Sequence, residues 1–103
     1  MLKIDLEKKE NEVTMVLDGR LDTTSAPEAE AVLRELLPDY DAVTIDMEKL
    51  EYISSAGLRV LMVAKKELKK KGSDKLKLIH VNEIIMEIFE VTGFSDIFDI
   101  EAE

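Results

Sequence analysis

The residues Val43–Lys71, with the sequence VTIDMEKLEYISSAGLRVLMVAKKELKKK, decide the fold class of this chain. The stretch begins with the apolar run Val43–Ile45, which is typical of a strand and ends at the acidic residue Asp46. After a short loop, Ser54 and Ser55 open a long helical pattern. We therefore predict a strand followed by a helix, with a hydroxyl side chain exposed where the strand layer gives way to the helix.

Spacing within the stretch predicts that one face of this helix is buried. Small and apolar residues recur at i, i+4, i+7 and i+11, namely Gly57, Leu61, Ala64 and Leu68. Most charged residues fall off this stripe, namely Arg59, Lys65, Lys66, Lys69 and Lys70. Lysines suit the last turns because the helix dipole favours cations there, and Gly72 indicates where the helix stops.

The two serines have two explanations. Serine is a preferred helix N-cap, so Ser54 or Ser55 can simply accept a hydrogen bond from a free N–H group of the first turn. Alternatively, Ser55, Arg59 and Met62 share a second face at i, i+4 and i+7, which could form a docking patch. Spacing alone leaves both explanations open.

Three motifs resemble those of a known family. The segments Asp46-Met47-Glu48, Leu50 and Tyr52–Leu58 (YISSAGL) resemble the signature of STAS domains of the anti-sigma factor antagonist type. Gly19–Asp22 (GRLD) resembles the Gly-x-Leu/Ile-Asp turn of that family, and Phe89–Phe94 (FEVTGF) resembles its hydrophobic-x-x-(Ser/Thr)-Gly ending. The resemblance thus spans nearly the whole chain.

The resemblance implies a function for the serine pair. In such proteins a serine followed by a small residue, Gly and Leu is phosphorylated by the partner kinase, and the matching residue here is Ser55. Ser54 is the second candidate, because it stands where well-known members carry Asp. The family pattern implies that the unphosphorylated protein binds a GHKL-type serine kinase/anti-sigma factor, that phosphorylation releases it, and that a PP2C-type serine phosphatase reverses the change. The expected partner-binding residues are Asp22, Thr23, Ser54, Ser55, Ala56, Gly57, Leu58, Arg59 and Met62.

The composition argues against several other classes of ligand and partner. With 14 basic and 23 acidic residues the net charge is −9, which opposes binding to a phosphate backbone, so nucleic acid is not expected as a partner. The chain has no cysteine, and we expect neither a metal site nor a cofactor.

Charges alternate through Met1–Asp5 and no apolar stretch approaches ~18 residues, so we expect a cytoplasmic protein without a membrane partner. A length of 103 residues predicts one domain, 1–103.

The remaining pattern alternates strands and helices. Two N-terminal runs alternate apolar and polar residues and predict a hairpin, with inward residues Leu2, Ile4, Leu6, Val13, Met15 and Leu17. Ser25 and Glu28 have the spacing of a capping box, which predicts a helix that Pro38 ends. Asp22 and Thr23 then lie in the loop before that helix. There they could face a partner or form an Asx-type turn.

A strand over Leu76–Val81 is followed by Asn82 as the cap of a third helix, which ends at Gly93. Ile97, Phe98 and Ile100 predict a short final strand, and His80, the single histidine, is expected to be structural or exposed. The order is β-β-α-β-α-β-α-β. The expected fold is therefore α/β: one STAS-like domain whose mixed sheet of four to five strands, antiparallel at the start and then parallel, is covered by about three to four helices.

Enzymatic alternatives have weaker support. Asp46 at the end of a strand could be an aspartyl-phosphate site, but a receiver needs an acidic pair after the first strand and a late lysine; Leu6-Glu7-Lys8 offers one acid and no lysine follows Val81. A hydrolase would need His80 as the base for Ser55, and there is no G-x-S-x-G elbow. We therefore do not expect an enzyme. The remaining alternative is a non-switching STAS scaffold or a small-molecule-sensing interaction domain.

Overall fold

Six strands form one mixed sheet, and three helices connect them. The computed structural model describes residues 1–102. The strands are β1 (Leu2–Lys9), β2 (Glu12–Leu21), β3 (Ala42–Asp46), β4 (Leu50–Ile53), β5 (Lys75–Val81) and β6 (Asp99–Ala102). The helices are α1 (Ala26–Leu36), α2 (Ser55–Lys70) and α3 (Glu83–Thr92), and a 3-10 turn covers Phe94–Asp96.

Strand pairing follows the predicted change from antiparallel to parallel. β1 and β2 form an antiparallel hairpin. β2 then pairs in parallel with β3, β3 with β5, and β5 with β6, which gives the order β1-β2-β3-β5-β6. Parallel strands need crossover connections, and α1, α2 and α3 supply them. The predicted α/β class and the mixed sheet are therefore confirmed.

The core lies on the face of the sheet that the helices cover. In β2 the residues Val13, Met15 and Leu17 are each only 1% exposed, while Thr14 and Val16 between them are half-buried. The helices contribute their own apolar stripes, and the predicted stripe of α2 (Gly57, Leu61, Ala64 and Leu68) is buried throughout. No helix within residues 1–102 is long and apolar enough to cross a membrane.

β4 is the strand that the sequence did not predict. It pairs in parallel with the C-terminal part of β2, beyond the point where β3 stops, so the sheet has six strands rather than four to five. Leu50 and Ile53 are buried, whereas Glu51 and Tyr52 between them are both exposed. This pattern lacks the period of two by which strands are recognised, because the register shifts between Gly19 and Arg20 of β2.

Two local predictions need correction. Ser25 precedes α1 as expected, but its side chain makes no capping hydrogen bond. Its hydroxyl instead donates to the carbonyl oxygen of Arg20 at 2.7 Å, so the predicted capping box with Glu28 does not form. The last strand begins at Asp99, later than predicted, because Phe94–Asp96 form a 3-10 turn that turns Phe98 into the core.

Candidate functional site

Ser54 ties the start of α2 to the sheet. Its backbone is extended, and its hydroxyl oxygen accepts a hydrogen bond from the N–H of Gly57 at 3.4 Å, so Ser54 is the N-cap. The backbone N–H of Ser54 donates to the carbonyl oxygen of Leu21 at 2.9 Å. These bonds fix where α2 begins and hold it beside the loop that follows β2.

Ser55 is the first residue of α2 and is exposed. Its hydroxyl forms no hydrogen bond with any other residue of the described chain, in contrast to the hydroxyl of Ser54. The cap explanation therefore applies to Ser54. Ser55 presents an exposed hydroxyl at the N-terminal end of α2, where the helix dipole favours negative charge.

Asp22 forms the Asx-type turn that the sequence left as one alternative. Its carboxylate accepts hydrogen bonds from the hydroxyl of Thr24 at 2.8 Å and from the N–H groups of Thr24 and Ser25 at 3.1 and 3.2 Å. The bond from the Thr24 hydroxyl is the main cause that holds the pKa of Asp22 below its ordinary value; burial opposes the shift, and the backbone donors add to it. Thr23, between these groups, is exposed.

Arg20 and Tyr52 lie at the same end of the sheet, and sequence reasoning did not select them. They are direct neighbours in the β2–β4 pairing, and the guanidinium of Arg20 lies over the Tyr52 ring, 4.5 Å from its centre. Arg20 Nε is also 3.8 Å from a carboxylate oxygen of Asp22. A cation, an aromatic ring and an anion thus lie close together near Ser54. Strand β4, which the sequence did not predict, is what places Tyr52 beside Arg20.

The predicted partner-binding residues of α2 divide between surface and core. Arg59 is exposed, Ala56 and Met62 are half-buried, and Gly57 is buried. Leu58 is only 7% exposed and packs with the core residues, so little of its side chain faces the solvent. Leu58 is turned inward because the sheet and the other helices cover more of α2 than the four-residue stripe indicated.

A groove between α1 and α2 joins several of the predicted residues. Its volume is about 490 Å³, and its lining comprises Thr23, Ala26, Pro27, Glu30, Ala31, Arg34, Ala56, Arg59 and Val60. Of the residues predicted to bind a partner, it brings together Thr23, Ala56 and Arg59. The groove thus combines small apolar side chains (Ala26, Ala31 and Ala56) with charged ones (Glu30, Arg34 and Arg59).

Gly57 permits the close contact between α2 and the sheet. A Cβ atom there would lie 2.7 Å from Cγ1 of Ile53, 2.8 Å from Cγ of Leu21 and 2.9 Å from the Leu21 carbonyl oxygen. These distances are too short for any side chain. A side chain at position 57 would therefore force α2 away from Leu21 and Ile53.

His80 is not isolated, although it is the single histidine. Its Nδ1 is 3.0 Å from a carboxylate oxygen of Asp46, and the pKa of His80 is raised above its ordinary value, chiefly by this hydrogen bond and then by the negative charge of Asp46. The same oxygen accepts the N–H of Glu48 at 3.1 Å. Potential metal-ligand atoms of Asp46, Glu48 and His80 lie within 4.8 Å of one another. The contact between His80 and Asp46 accounts for this arrangement, and sequence spacing gave no signal for it.

Comparison with known sequences places these features in a family. Residues 3–103 match the family model described as the STAS domain. An anti-sigma-B factor antagonist from Bacillus subtilis is 31% identical to this chain over 102 residues, which cover 99% of the chain and 93% of the relative.

Solved structures have the same fold. An anti-sigma factor antagonist from Mycobacterium paratuberculosis superposes with a TM-score of 0.88 at 19% identity, covering 100% of this chain and 87% of the other. SpoIIAA, a Bacillus cell fate determinant solved in its phosphorylated form, superposes with a TM-score of 0.77 at 17% identity, covering 98% and 92%. Since the family match and the Bacillus subtilis relative both extend over nearly the whole sequence, the chain belongs to the STAS domain family, among the anti-sigma factor antagonists.

Proposed function

We propose that this protein is a partner-switching regulator controlled by phosphorylation of Ser55. In its unphosphorylated form it binds a GHKL-type serine kinase that also acts as an anti-sigma factor. Phosphorylation releases it, and a PP2C-type serine phosphatase restores the binding form. The family consists of regulators rather than enzymes, which fits a chain that serves as a substrate of its partners. We further propose that residues 1–103 act as one domain.

One observation carries the proposal: Ser54 caps α2, and the neighbouring Ser55 is exposed with an unengaged hydroxyl. In the transfer step the Ser55 oxygen attacks the γ-phosphorus of ATP, and the bond between that phosphorus and the β,γ-bridging oxygen breaks, which releases ADP. The partner kinase supplies the base that takes the serine proton. The product remains at the N-terminus of α2, where the helix dipole and free N–H groups tolerate an anion. Ser54 can therefore keep its capping role before and after the reaction.

The added charge explains release without unfolding. A phosphate contributes about −1.5 to −2 charges at neutral pH. Ser55 adjoins Ala56, which lines the groove between α1 and α2, so a partner that covers this groove would have to desolvate the new charge. Asp22, whose pKa is lowered chiefly by the hydrogen bond from the Thr24 hydroxyl, is an acidic group in the loop after β2. The binding surface thus becomes more acidic while the core is untouched.

The test is phosphorylation by a GHKL-type kinase from the source organism, followed by mass spectrometry of the peptides. We expect one phosphate on Ser55, the same product in Ser54→Ala, and none in Ser55→Ala. Ser54→Ala is the matched control, because it removes the neighbouring hydroxyl and leaves the proposed acceptor. Phosphate found only on Ser54, or retained in Ser55→Ala, would reject Ser55 as the site. A chain that no such kinase modifies would favour the non-switching scaffold or small-molecule sensor.

A further inference from the structure

The outward face of α3 carries an apolar stripe. Ile85 and Phe89 on the inner face are fully buried. On a second face, about 110° around the helix from the first, Ile84 and Val91 are 63% and 81% exposed, and half-buried Ile88 lies between them. Positions i, i+4 and i+7 fall on one side of a helix, so these three side chains form a continuous row about 10 Å long.

Single exposed hydrophobic residues are ordinary, but a row of them on one helix is not. Within residues 1–102, neither α1 nor α2 has a large apolar side chain with comparable exposure. The outer face of α2 carries lysines instead, which is the usual composition of a solvated helix face. The stripe of α3 is therefore a local property of this helix.

A row of acidic residues flanks the stripe. α3 contains Glu83, Glu87 and Glu90 and no basic residue, and none of these carboxylates forms a salt bridge within the described chain. Like charges at i, i+3 and i+4 destabilise a helix by about 0.2–0.5 kcal/mol per pair. The three glutamates also line an open groove of about 610 Å³ together with Val81, Met86 and Ala102. Two neighbouring rows on the surface of α3 thus carry exposed apolar area and uncompensated negative charge.

The negative charge and the exposed apolar row of α3 limit the kinds of partner that could bind there. A symmetric contact between two copies of α3 would bring two sets of the same three glutamates together, so it is opposed by charge. The lysine face of α2 in a second copy has the right charge but no exposed apolar row to cover Ile84 and Val91. Anionic lipid or nucleic acid would meet a surface of its own sign.

We propose that the outward face of α3 is a docking surface for a segment of another protein that carries an aliphatic stripe flanked by lysine or arginine. The aliphatic residues would cover Ile84, Ile88 and Val91, and the basic residues would neutralise the glutamates. This surface is separate from Ser55 and does not depend on its phosphorylation. The protein would then stay bound to one partner through α3 while the surface around Ser55 binds and releases a second partner.

The test uses a synthetic amphipathic peptide of roughly 18 residues, with leucines at helical spacing and lysines beside them, since shorter isolated helices are marginal. A matched peptide has every lysine replaced by glutamate. We expect the lysine peptide to shift the backbone amide resonances of residues 83–92 in the ¹⁵N-labelled protein. We expect the double variant Ile84→Gln/Val91→Gln and the single variant Glu87→Lys each to weaken binding by about tenfold.

Controls separate this surface from other sites. Leu6→Gln changes an exposed apolar residue elsewhere and should leave the affinity unchanged, as should Ser55→Ala, which distinguishes this proposal from the one above. No binding of the lysine peptide, equal binding of the glutamate peptide, or shifts confined to the groove between α1 and α2 would overturn the proposal. Self-association, or binding to phosphatidylglycerol vesicles, that the double variant abolishes would also overturn it, in favour of a second copy or a membrane.

Discussion

At the scale of single residues, Ser54 and Ser55 should differ in their effect on stability. Ser54→Ala removes the acceptor of the Gly57 N–H and should lower the free energy of unfolding by about 0.5–2 kcal/mol, towards the low end because the bond is 3.4 Å long. Ser55→Ala removes an unengaged hydroxyl and should change it by less than about 0.5 kcal/mol. Urea denaturation of both variants measures the difference. A larger loss for Ser55→Ala would show that its hydroxyl is structural.

Gly57 should tolerate no side chain. A Cβ atom would meet the Leu21 carbonyl at 2.9 Å, and the sheet backbone cannot move away cheaply. We expect Gly57→Ala to destabilise the protein by about 1–3 kcal/mol despite the better helix propensity of alanine, and Gly57→Val to cost more. Lys66→Val is the control, because it places the same β-branched residue at an exposed position of α2. Thermal melts in which Gly57→Val and Lys66→Val lose equal stability would contradict the close-contact explanation.

His80 should add a pH-dependent contribution to stability. Its pKa is raised in the folded protein by Asp46, so the protonated form is favoured by folding. This contribution is fully present below the pKa of an unfolded-chain histidine and is lost as the pH rises through the higher folded pKa. Since His80 is the single histidine, its imidazole resonances can be followed by NMR without ambiguity. Asp46→Asn should lower its pKa and flatten the pH dependence, and an unchanged titration curve would exclude Asp46 as the cause.

The residue-scale features that sequence reasoning missed are contacts between distant segments. Arg20 meets Tyr52, and Asp46 meets His80, only after the strands have paired. The predicted stripe of α2 did not include Leu58, because its burial depends on how the neighbouring elements pack. By contrast, the cap at Ser54 and the buried row of α2 follow from local spacing, which the sequence contains directly.

At the scale of elements, the first turn of α2 should accept negative charge without loss of stability. Ser55 lies in the first turn, where the helix has no acidic residue, so Ser55→Asp places a carboxylate at the positive end of the dipole. We expect the free energy of unfolding to stay the same or rise by about 0.3–1 kcal/mol. Ser55→Asn, of similar shape but uncharged, isolates the effect of the charge. Destabilisation by aspartate and not by asparagine would mean that repulsion, for example from Asp22, exceeds the dipole effect.

The elements that could be predicted are those with a clear period and a local end signal. α2 ends with the N–H of Ser73 bonded to the Leu68 carbonyl and the N–H of Gly72 bonded to the Lys69 carbonyl, as the position of Gly72 indicated. β4 could not be found because only its two end residues are buried. The start of α1 was located correctly, but the hydroxyl of Ser25 has a stronger partner in the Arg20 carbonyl, which only the folded loop supplies.

At the scale of the whole molecule, the parallel part of the sheet brings the loops of the candidate site together. The C-terminal ends of parallel strands lie at one edge of the sheet, so the loops after β2 and β4 meet there, and the bond from Ser54 N–H to the Leu21 carbonyl joins them. The protein has a net charge of −9, so an additional negative group on this edge increases repulsion from an acidic partner and attraction to a basic one. The proposed phosphorylation of Ser55 would therefore act at an edge of the sheet in a protein that is already acidic.

Binding to the partner kinase should therefore respond to the charge of residue 55 while the fold does not. In Ser55→Asp, the new carboxylate would have to lose its water beside Ala56 and Arg59 when the kinase binds. A desolvation penalty of a few kcal/mol corresponds to at least ~10-fold weaker binding. Ser55→Ala cannot be charged, so it should bind as tightly as the unphosphorylated wild type and should not be released by ATP. Titration calorimetry of the three proteins against the kinase measures these affinities, and circular dichroism checks that all are folded. Equal affinities in equally folded proteins would mean that Ser55 is not the switch, and the scaffold alternative would then take its place.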